Sequence, residues 1–484
     1  MKRSKKTNRL IALSCALLIT CGAAAAVISH EEKKEKIRTS DEVILQIPAQ
    51  SVTALSWETE DASLSFHKDD GWHYDEDDAF PVDEQKMDEL LTPFEAFGVS
   101  FVIDDVEDFG QYGLDAPACT IQLTAGDDAA SYEIKLGNFS AMDAQRYVSI
   151  GDGKVYLVSS DPMELYKAQL KDMIQNDEDL SYDRISGISF SGTENYTITY
   201  EENSPAAVCD DDVYFTEHGG VTVALDTPSV STFLSYMTTL DPEDYVTYKV
   251  TEEELPAYGL DQPELTITVD YTKTAEEGEA PVMGTYVLHI GRSREEVKAY
   301  EEAAAKAEEE GDEDFHQEPV PAYARIGDSP IVYHLPQYDY GMLTAVSFDD
   351  LRHHEAFAAD FEDIDRAEIT LDGSTYTLLQ VPAAEEEAAS VWKYGETQID
   401  STAFQSALTE LVAEEYTDEA PTGQEEISLT IHLKNENHPQ IRIQLFRYDG
   451  EACLAVVDGV PFALVRRSTV VDLMESVRSI VLKK

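Results

Sequence analysis

Apolar positions recur on a helical spacing three times along the chain, each time behind an aspartate. Counting from Asp83, Asp226 and Asp400, the residues at the fourth, eighth and eleventh places are Met87, Leu91 and Phe94, then Val230, Leu234 and Met237, then Phe404, Leu408 and Leu411. That spacing lays one apolar face along a helix. Aspartate is a residue type that caps a helix N-terminus, so Asp83, Asp226 and Asp400 are the expected N-caps, and Pro228 is tolerated in the first turn of the second helix. Strand-like stretches precede each helix: Trp72 and Tyr74, Val213 to Phe215, and Val391, Trp392 and Tyr394.

A short phrase follows each helix. It reads Tyr112-Gly113-Leu114-Asp115-Ala116-Pro117, then Tyr258-Gly259-Leu260-Asp261-Gln262-Pro263, and in eroded form Tyr416-Thr417-Asp418-Glu419-Ala420-Pro421. Glycine permits positive φ, aspartate can bond backbone amides ahead of it, and proline forbids helix before the next element. The phrase therefore predicts a shaped turn, with strands next at Thr120–Leu123, Thr266–Val269 and Ser428–Leu433. A ligand site at the phrase is the competing reading, and its repetition favours structure.

Each copy closes on a turn and an aromatic strand, Gly151 to Tyr156, Gly327 to Tyr333 and Asp458 to Phe462, which read as hairpins. Helices are expected after copies one and three, at Pro162–Ile174 and Thr469–Val481. The fold class that results is α+β: an N-terminal transmembrane helix, then three tandem repeats of a mainly antiparallel sheet with helices on one face. The expected boundaries are an anchor or signal segment over 1–30, a charged linker over 31–42, and repeat units over 43–180, 181–356 and 357–484, the last degenerate. Unit two carries an insertion at about 294–318, rich in Ala, Glu and Lys, which predicts a solvated helical excursion.

Charge and targeting change the picture most. With 96 acidic against 35 basic residues in a chain of 484, the formal net charge is −61. Such a chain repels phosphate backbones, which excludes nucleic acid as a partner. Lys2, Arg3, Lys5, Lys6 and Arg9 precede an uncharged, largely apolar run from Leu10 to Ile28, roughly 28 Å long as a helix and close to the bilayer core. The basic flank predicts a cytoplasmic N-terminus and an extracytoplasmic body at the cell membrane. Two other readings export the body equally: a signal cleaved near Ala23 to Ala26, and a lipoprotein anchored at Cys21. Beyond that segment only Cys119, Cys209 and Cys453 remain, too few and too scattered for a disulfide framework, and each reads as a small buried hydrophobe.

Nucleophile elbows, Walker loops, paired-cysteine sites and zinc-binding histidine pairs are not found with usable spacing. Gly151-Asp152-Gly153 reads as a hairpin turn rather than a phosphate loop. Adjacent His353 and His354 would point apart on a helix and read as a surface pair. Asp75, Asp77 and Asp78 lack the glycine and glutamate of a calcium loop and read as an acidic turn. No catalytic residue, cofactor or metal ligand is therefore expected.

The Tyr-Gly-Leu-Asp-x-Pro phrase, Asp70-Gly71-Trp72, the helix start Pro81-Val82-Asp83 and the strand Val155 to Val158 together resemble the domain-of-unknown-function family 4340. The resemblance is close over 43–180, partial over 181–356 and faint beyond. It implies a bacterial membrane-anchored or lipoprotein-like extracytoplasmic module, in some relatives encoded beside ABC-transporter components, and it brings no catalytic residues. The expected function is a membrane-tethered scaffold or binding protein, not an enzyme, with a protein partner in the envelope and a link to an ABC-type transporter. The alternative is a hydrolase acting on cell wall or glycan.

Overall fold

The computed structural model describes residues 36–240, 244–274, 280–312, 315–382 and 390–482. The chain divides into two compact units, Met1–Asn176 with Glu243–Lys249, and Asp177–Pro242 with Val250–Lys484. The predicted anchor at 1–30 lies outside the described residues, and among those described no helix is long and apolar enough to cross a membrane.

The first unit holds a ten-stranded antiparallel sheet. Its path runs Trp72–Tyr74, Ser63–Lys68, Val52–Thr59, Cys119–Ala125, Ala130–Ser140, Gln145–Ser149, Val155–Val158, Phe97–Asp104 and Lys36–Thr39, and Val43–Leu45 also pairs with Phe97–Asp104. The strand Lys36–Thr39 thus falls inside the segment expected to be a linker. In the second unit one sheet runs Val221–Ala224, Tyr214–His218, Asn195–Tyr200, Arg184–Ser191, Leu265–Lys273, Val282–Arg292, Ala322–Ile326 and Val332–Leu335. The third sheet repeats that path from Thr397–Ile399 through Val391–Tyr394, Ser374–Val381, Ile364–Leu371, Glu425–Leu433, Gln440–Arg447, Ala452–Val457 and Val460–Arg466 to Ala413–Tyr416.

Each sheet is centred on a pair of strands drawn from either side of its helix: Val52–Thr59 with Cys119–Ala125, Arg184–Ser191 with Leu265–Lys273, and Ile364–Leu371 with Glu425–Leu433. The register slips at the same place in all three, between Val52 and Ala54, Ile185 and Gly187, and Ile364 and Arg366. A bulge bends its strand and sharpens the twist. Its recurrence is a structural mark of the repeat.

The helices form where the apolar face predicts them, over Glu84–Glu95, Thr227–Met237 and Thr402–Thr409. All nine face residues are buried, none more than 1% exposed. Asp83 accepts from the amides of Gln85 and Lys86, and Asp226 from that of Ser229. In the third copy the helix starts one residue later, with Ser401 in the cap position, and Asp400 accepts from the Thr402 amide and hydroxyl. Asp83→Ala orphans two amides at an exposed helix end, and a loss of about 1 kcal/mol in denaturant unfolding is expected. Asp400→Ala, which takes an acceptor from one amide instead of two, is expected to cost less.

The balance of the fold is mostly β, which corrects the expected α+β weighting. Pro162–Ile174 makes only the 3-10 turns Leu165–Lys167 and Leu170–Met173. Its backbone is claimed elsewhere: Met173 O accepts from Asp83 N, Gln175 N donates to Pro81 O, and Ile174 bridges to Val82. Extended pairing with the segment before the first helix competes with helix propagation and wins. In the third copy Arg467–Leu482 is helical and packs on Thr402–Thr409. The insertion of copy two forms a helix over Arg294–Glu310, closed by Gly311 in the left-handed region, with only Ala307 buried.

Candidate functional site at the junction of the second and third sheets

The repeated phrase proves to be a packing device. Gly113 and Gly259 take the left-handed conformation after a helical turn, with φ of 73° and 70°. Leu114 joins a buried cluster with Ile103, Tyr112, Val155 and Leu157, and Leu260 joins Leu255 and Val332. Tyr112 packs on Tyr147 and Tyr258 on Tyr323, with ring centroids 4.8 and 5.0 Å apart. Asp115 is exposed, whereas Asp261 pairs with Arg294 at 2.6 Å. Pro117 and Pro263 lie two residues ahead of strands, and Pro421 lies in the loop before Glu425–Leu433. The phrase residues are spread over three sheets and do not converge on one site.

Other acids are likewise engaged separately. Asp75 bonds His67, Asp78 bonds His73, and Asp77 accepts from the Tyr248 hydroxyl at 2.7 Å and pairs with Lys249. The Lys249 ammonium, followed by the Tyr248 hydroxyl, holds the Asp77 carboxyl down to about 2. These three carboxylates do not share a centre.

What does converge is the segment Arg352–Glu355. It follows the short helix Phe348–Leu351, which is fixed by a reciprocal cap between Ser347 and Asp350. Arg352 bridges to Leu225 of the second sheet's helix entry, and Glu355 bridges to Val412, which leads into the last strand of the third sheet. The chain is thus held extended between two sheets, and successive side chains leave on opposite sides.

On one side, Arg352 lies over Tyr416, Phe462 and Phe348, its guanidinium carbon 3.8, 5.1 and 5.3 Å from the ring centroids. Its Nη1 reaches Asp349 at 3.4 Å, while its Nε is buried without a hydrogen-bond partner. The Tyr416 hydroxyl meets His354 Nδ1 at 2.7 Å. In copies one and two the phrase tyrosine packs on a tyrosine of its own sheet. Loss of glycine in the third copy leaves Tyr416 at the end of a strand and frees it for this junction. Together with Glu194, Tyr196 and His218, these rings border a recess of about 500 Å³. The Tyr196 hydroxyl is also buried without a hydrogen-bond partner.

On the other side, His353 Nε2 lies 2.9 Å from Asp212 Oδ1, and Nδ1 lies 3.9 Å from Asp226 Oδ1. His353 is only 14% exposed and the Asp212 side chain not at all, which corrects the expectation of a surface histidine pair. Asp212 sits in the loop after strand Asn195–Tyr200, where its Oδ2 accepts from the amides of Val208 and Cys209 at 2.8 and 2.9 Å. Val208 packs on the core of the third sheet, and the Ala207 carbonyl accepts from Asn435 Nδ2 at 3.2 Å. The loop is therefore a peg between the sheets. Burial opposes charge on His353, but the hydrogen bond and charge of Asp212, then Asp226 and Glu355, outweigh it and raise its pKa.

The sulfur of Cys209 completes this group, its thiol donating to the Ala358 carbonyl. One ligand atom each from Cys209, Asp212 and His353 lies within 4.8 Å of the others. Burial first, then the charges of Asp212, Asp360, Asp211 and Glu355, push the Cys209 thiol well above its ordinary value. An uncompensated thiolate nucleophile is disfavoured there. Cys119 and Cys453 are buried free thiols, each pushed up to about 12 chiefly by burial.

The fold and this junction define a protein of tandem antiparallel-sheet repeats. Residues 72–207 match the family model described as Domain of unknown function (DUF4340), in agreement with the resemblance carried by the sequence phrase. The matched segment begins at the Trp72–Tyr74 strand and ends in the Asp212 loop, so it spans the first phrase and the opening hairpin of the second sheet. No curated protein and no solved structure matches the chain.

Proposed function

We propose that the chain is a membrane-tethered extracytoplasmic scaffold, linked to an ABC-type transporter, whose working surface is the junction of its second and third sheets. The observation that carries this reading is Arg352, a guanidinium stacked on three rings, its side chain 18% exposed, that lines a recess of about 500 Å³. Arginine and tyrosine in a desolvated setting are the residues that dominate protein interfaces. The planar guanidinium of an arginine suits a carboxylate presented by a protein partner. The strongly acidic chain of net charge −61 repels most acidic surfaces. Recognition would therefore fall to a local cation of this kind.

The test is quantitative capture from detergent-solubilised membranes with the full chain and with Arg352→Lys, which keeps the charge and loses the planar fork and the stacking. A partner recovered reproducibly with the wild type and depleted about tenfold with the variant is expected, corresponding to about 1.4 kcal/mol. Equal recovery with both chains, or no reproducible partner, would overturn the proposal.

A further inference from the structure

We infer that Cys209, Asp212 and His353 form a binding site for a zinc-class divalent cation, independently of any role for the Arg352 recess. The donor set is the first argument. Thiolate, imidazole and carboxylate are the three ligand types of zinc sites, with bonds of about 2.0 to 2.3 Å, and a hard cation such as calcium would not select a sulfur. The three ligand atoms already lie within 4.8 Å of one another. Coordination would require the Cys209 thiol to give up its bond to the Ala358 carbonyl, which now takes its proton.

The surroundings are the second argument. A ligating histidine usually donates its other ring nitrogen to a carboxylate, and ligating carboxylates are themselves hydrogen-bonded. The second arrangement is present: the amides of Val208 and Cys209 occupy Asp212 Oδ2 and leave Oδ1 toward His353 Nε2, while Asp226 Oδ1 stands 3.9 Å from Nδ1, a charge near the ring beyond hydrogen-bond reach. With its proton on Nδ1, the imidazole would set a nitrogen lone pair against a carboxylate oxygen at 2.9 Å. Only a proton or a metal cation between them removes that conflict.

An entry path is the third. Cys209 and Asp212 line a recess of about 680 Å³ that also presents Asp210 and Asp363. Two of these acids, Asp210 and Asp363, also bring carboxylate oxygens within 4.8 Å of one another and of Asp360, a field that draws cations in. A fourth position on the Cys209 side, which lines that recess, would be taken by water. On binding, the Cys209 thiol proton and the proton held between His353 Nε2 and Asp212 would go to solvent, and the metal would take their place.

The experiment titrates chelator-treated full chain with Zn(II) by calorimetry, and with Co(II) as the spectroscopic probe, in excess Ca(II) to occupy surface carboxylates. One equivalent per chain is expected, with proton release seen as a dependence of heat on buffer ionisation. Co(II) should give a near-ultraviolet thiolate charge-transfer band. Cys209→Ser is expected to abolish the band and, like His353→Gln, to weaken Zn(II) binding by at least about 100-fold. Circular dichroism of the Cys209→Ser chain checks that it is folded. The inference is overturned by sub-stoichiometric binding, by a Co(II) complex without the thiolate band, or by affinity unchanged in folded Cys209→Ser and His353→Gln.

Discussion

Gly259→Ala is expected to destabilise the second unit by about 4 kcal/mol, whereas Gly311→Ala, at a nearly identical φ, is expected to cost about 1 kcal/mol. Both glycines are left-handed, with φ of 70° and 68°, so the backbone penalty is shared. The surroundings differ. A Cβ at Gly311 meets nothing within 4 Å, while one at Gly259 would lie 2.0 Å from the Arg292 carbonyl oxygen. No rotamer relieves a clash with backbone, so the turn must lift from the strand it packs on. The opposing position is also glycine: a Cβ at Gly291 would lie 2.5 Å from Gly259 O. Gly291→Ala should therefore be nearly as damaging, and the double variant should cost less than the sum, because both changes break one contact. Thermal unfolding followed by circular dichroism decides the matter. Equal losses for Gly259→Ala and Gly311→Ala would show that conformation alone, and not close packing, fixes this glycine.

That contact shows where reading the sequence stops. The phrase and its positive-φ glycine were visible because they are local and repeated. Their partners were not. Gly137 lies under Tyr112 O as Gly291 lies under Gly259 O, but the hairpin between phrase and partner differs in length in the two copies, so no fixed spacing exposes the match. The helix faces were legible for the same reason as the phrase, since residues such as Phe404 and Leu408 follow a period set by the backbone itself. Pro162–Ile174 carried a helical pattern and lost it to pairing with Pro81–Asp83, a competition no window on one segment can weigh. The junction was the least legible part. Adjacent His353 and His354 read as a surface pair on a helix, but the segment is extended and sends the neighbours to opposite sides, one to Asp212 and one to Tyr416. Asp212 itself was one acid among 96. Its only local sign was a tight loop of Val208, Cys209 and Asp212, meaningful once the amide bonds are seen.

Asp212→Ala is expected to cost about 4 kcal/mol in metal-free, chelator-treated protein, against less than about 0.5 kcal/mol for Asp210→Ala two residues away. Asp210 is exposed, and its loss removes one charge from a crowded acidic field. Asp212 is wholly buried, and three donors depend on it: the amides of Val208 and Cys209 and the ring of His353. Burial alone would raise its carboxyl, yet the His353 bond, the Cys209 amide, the His353 charge and the Val208 amide together hold it below its ordinary value. The folded structure therefore binds the charged form more tightly than water does. Alanine leaves two amides and the largely buried His353 ring without a counterpart, and a buried group stripped of its partner costs more than the intact pair ever contributed. Asparagine keeps an oxygen for the amides and loses only the charge toward His353, so Asp212→Asn should fall between, at about 2 kcal/mol. The peg that this loop forms against the third sheet, through Val208 and the Ala207 carbonyl, should loosen in the same order. Hydrogen exchange at the Val208 and Cys209 amides reads that directly, and protection unchanged in Asp212→Ala would mean that the loop is held by its apolar contacts and not by the carboxylate.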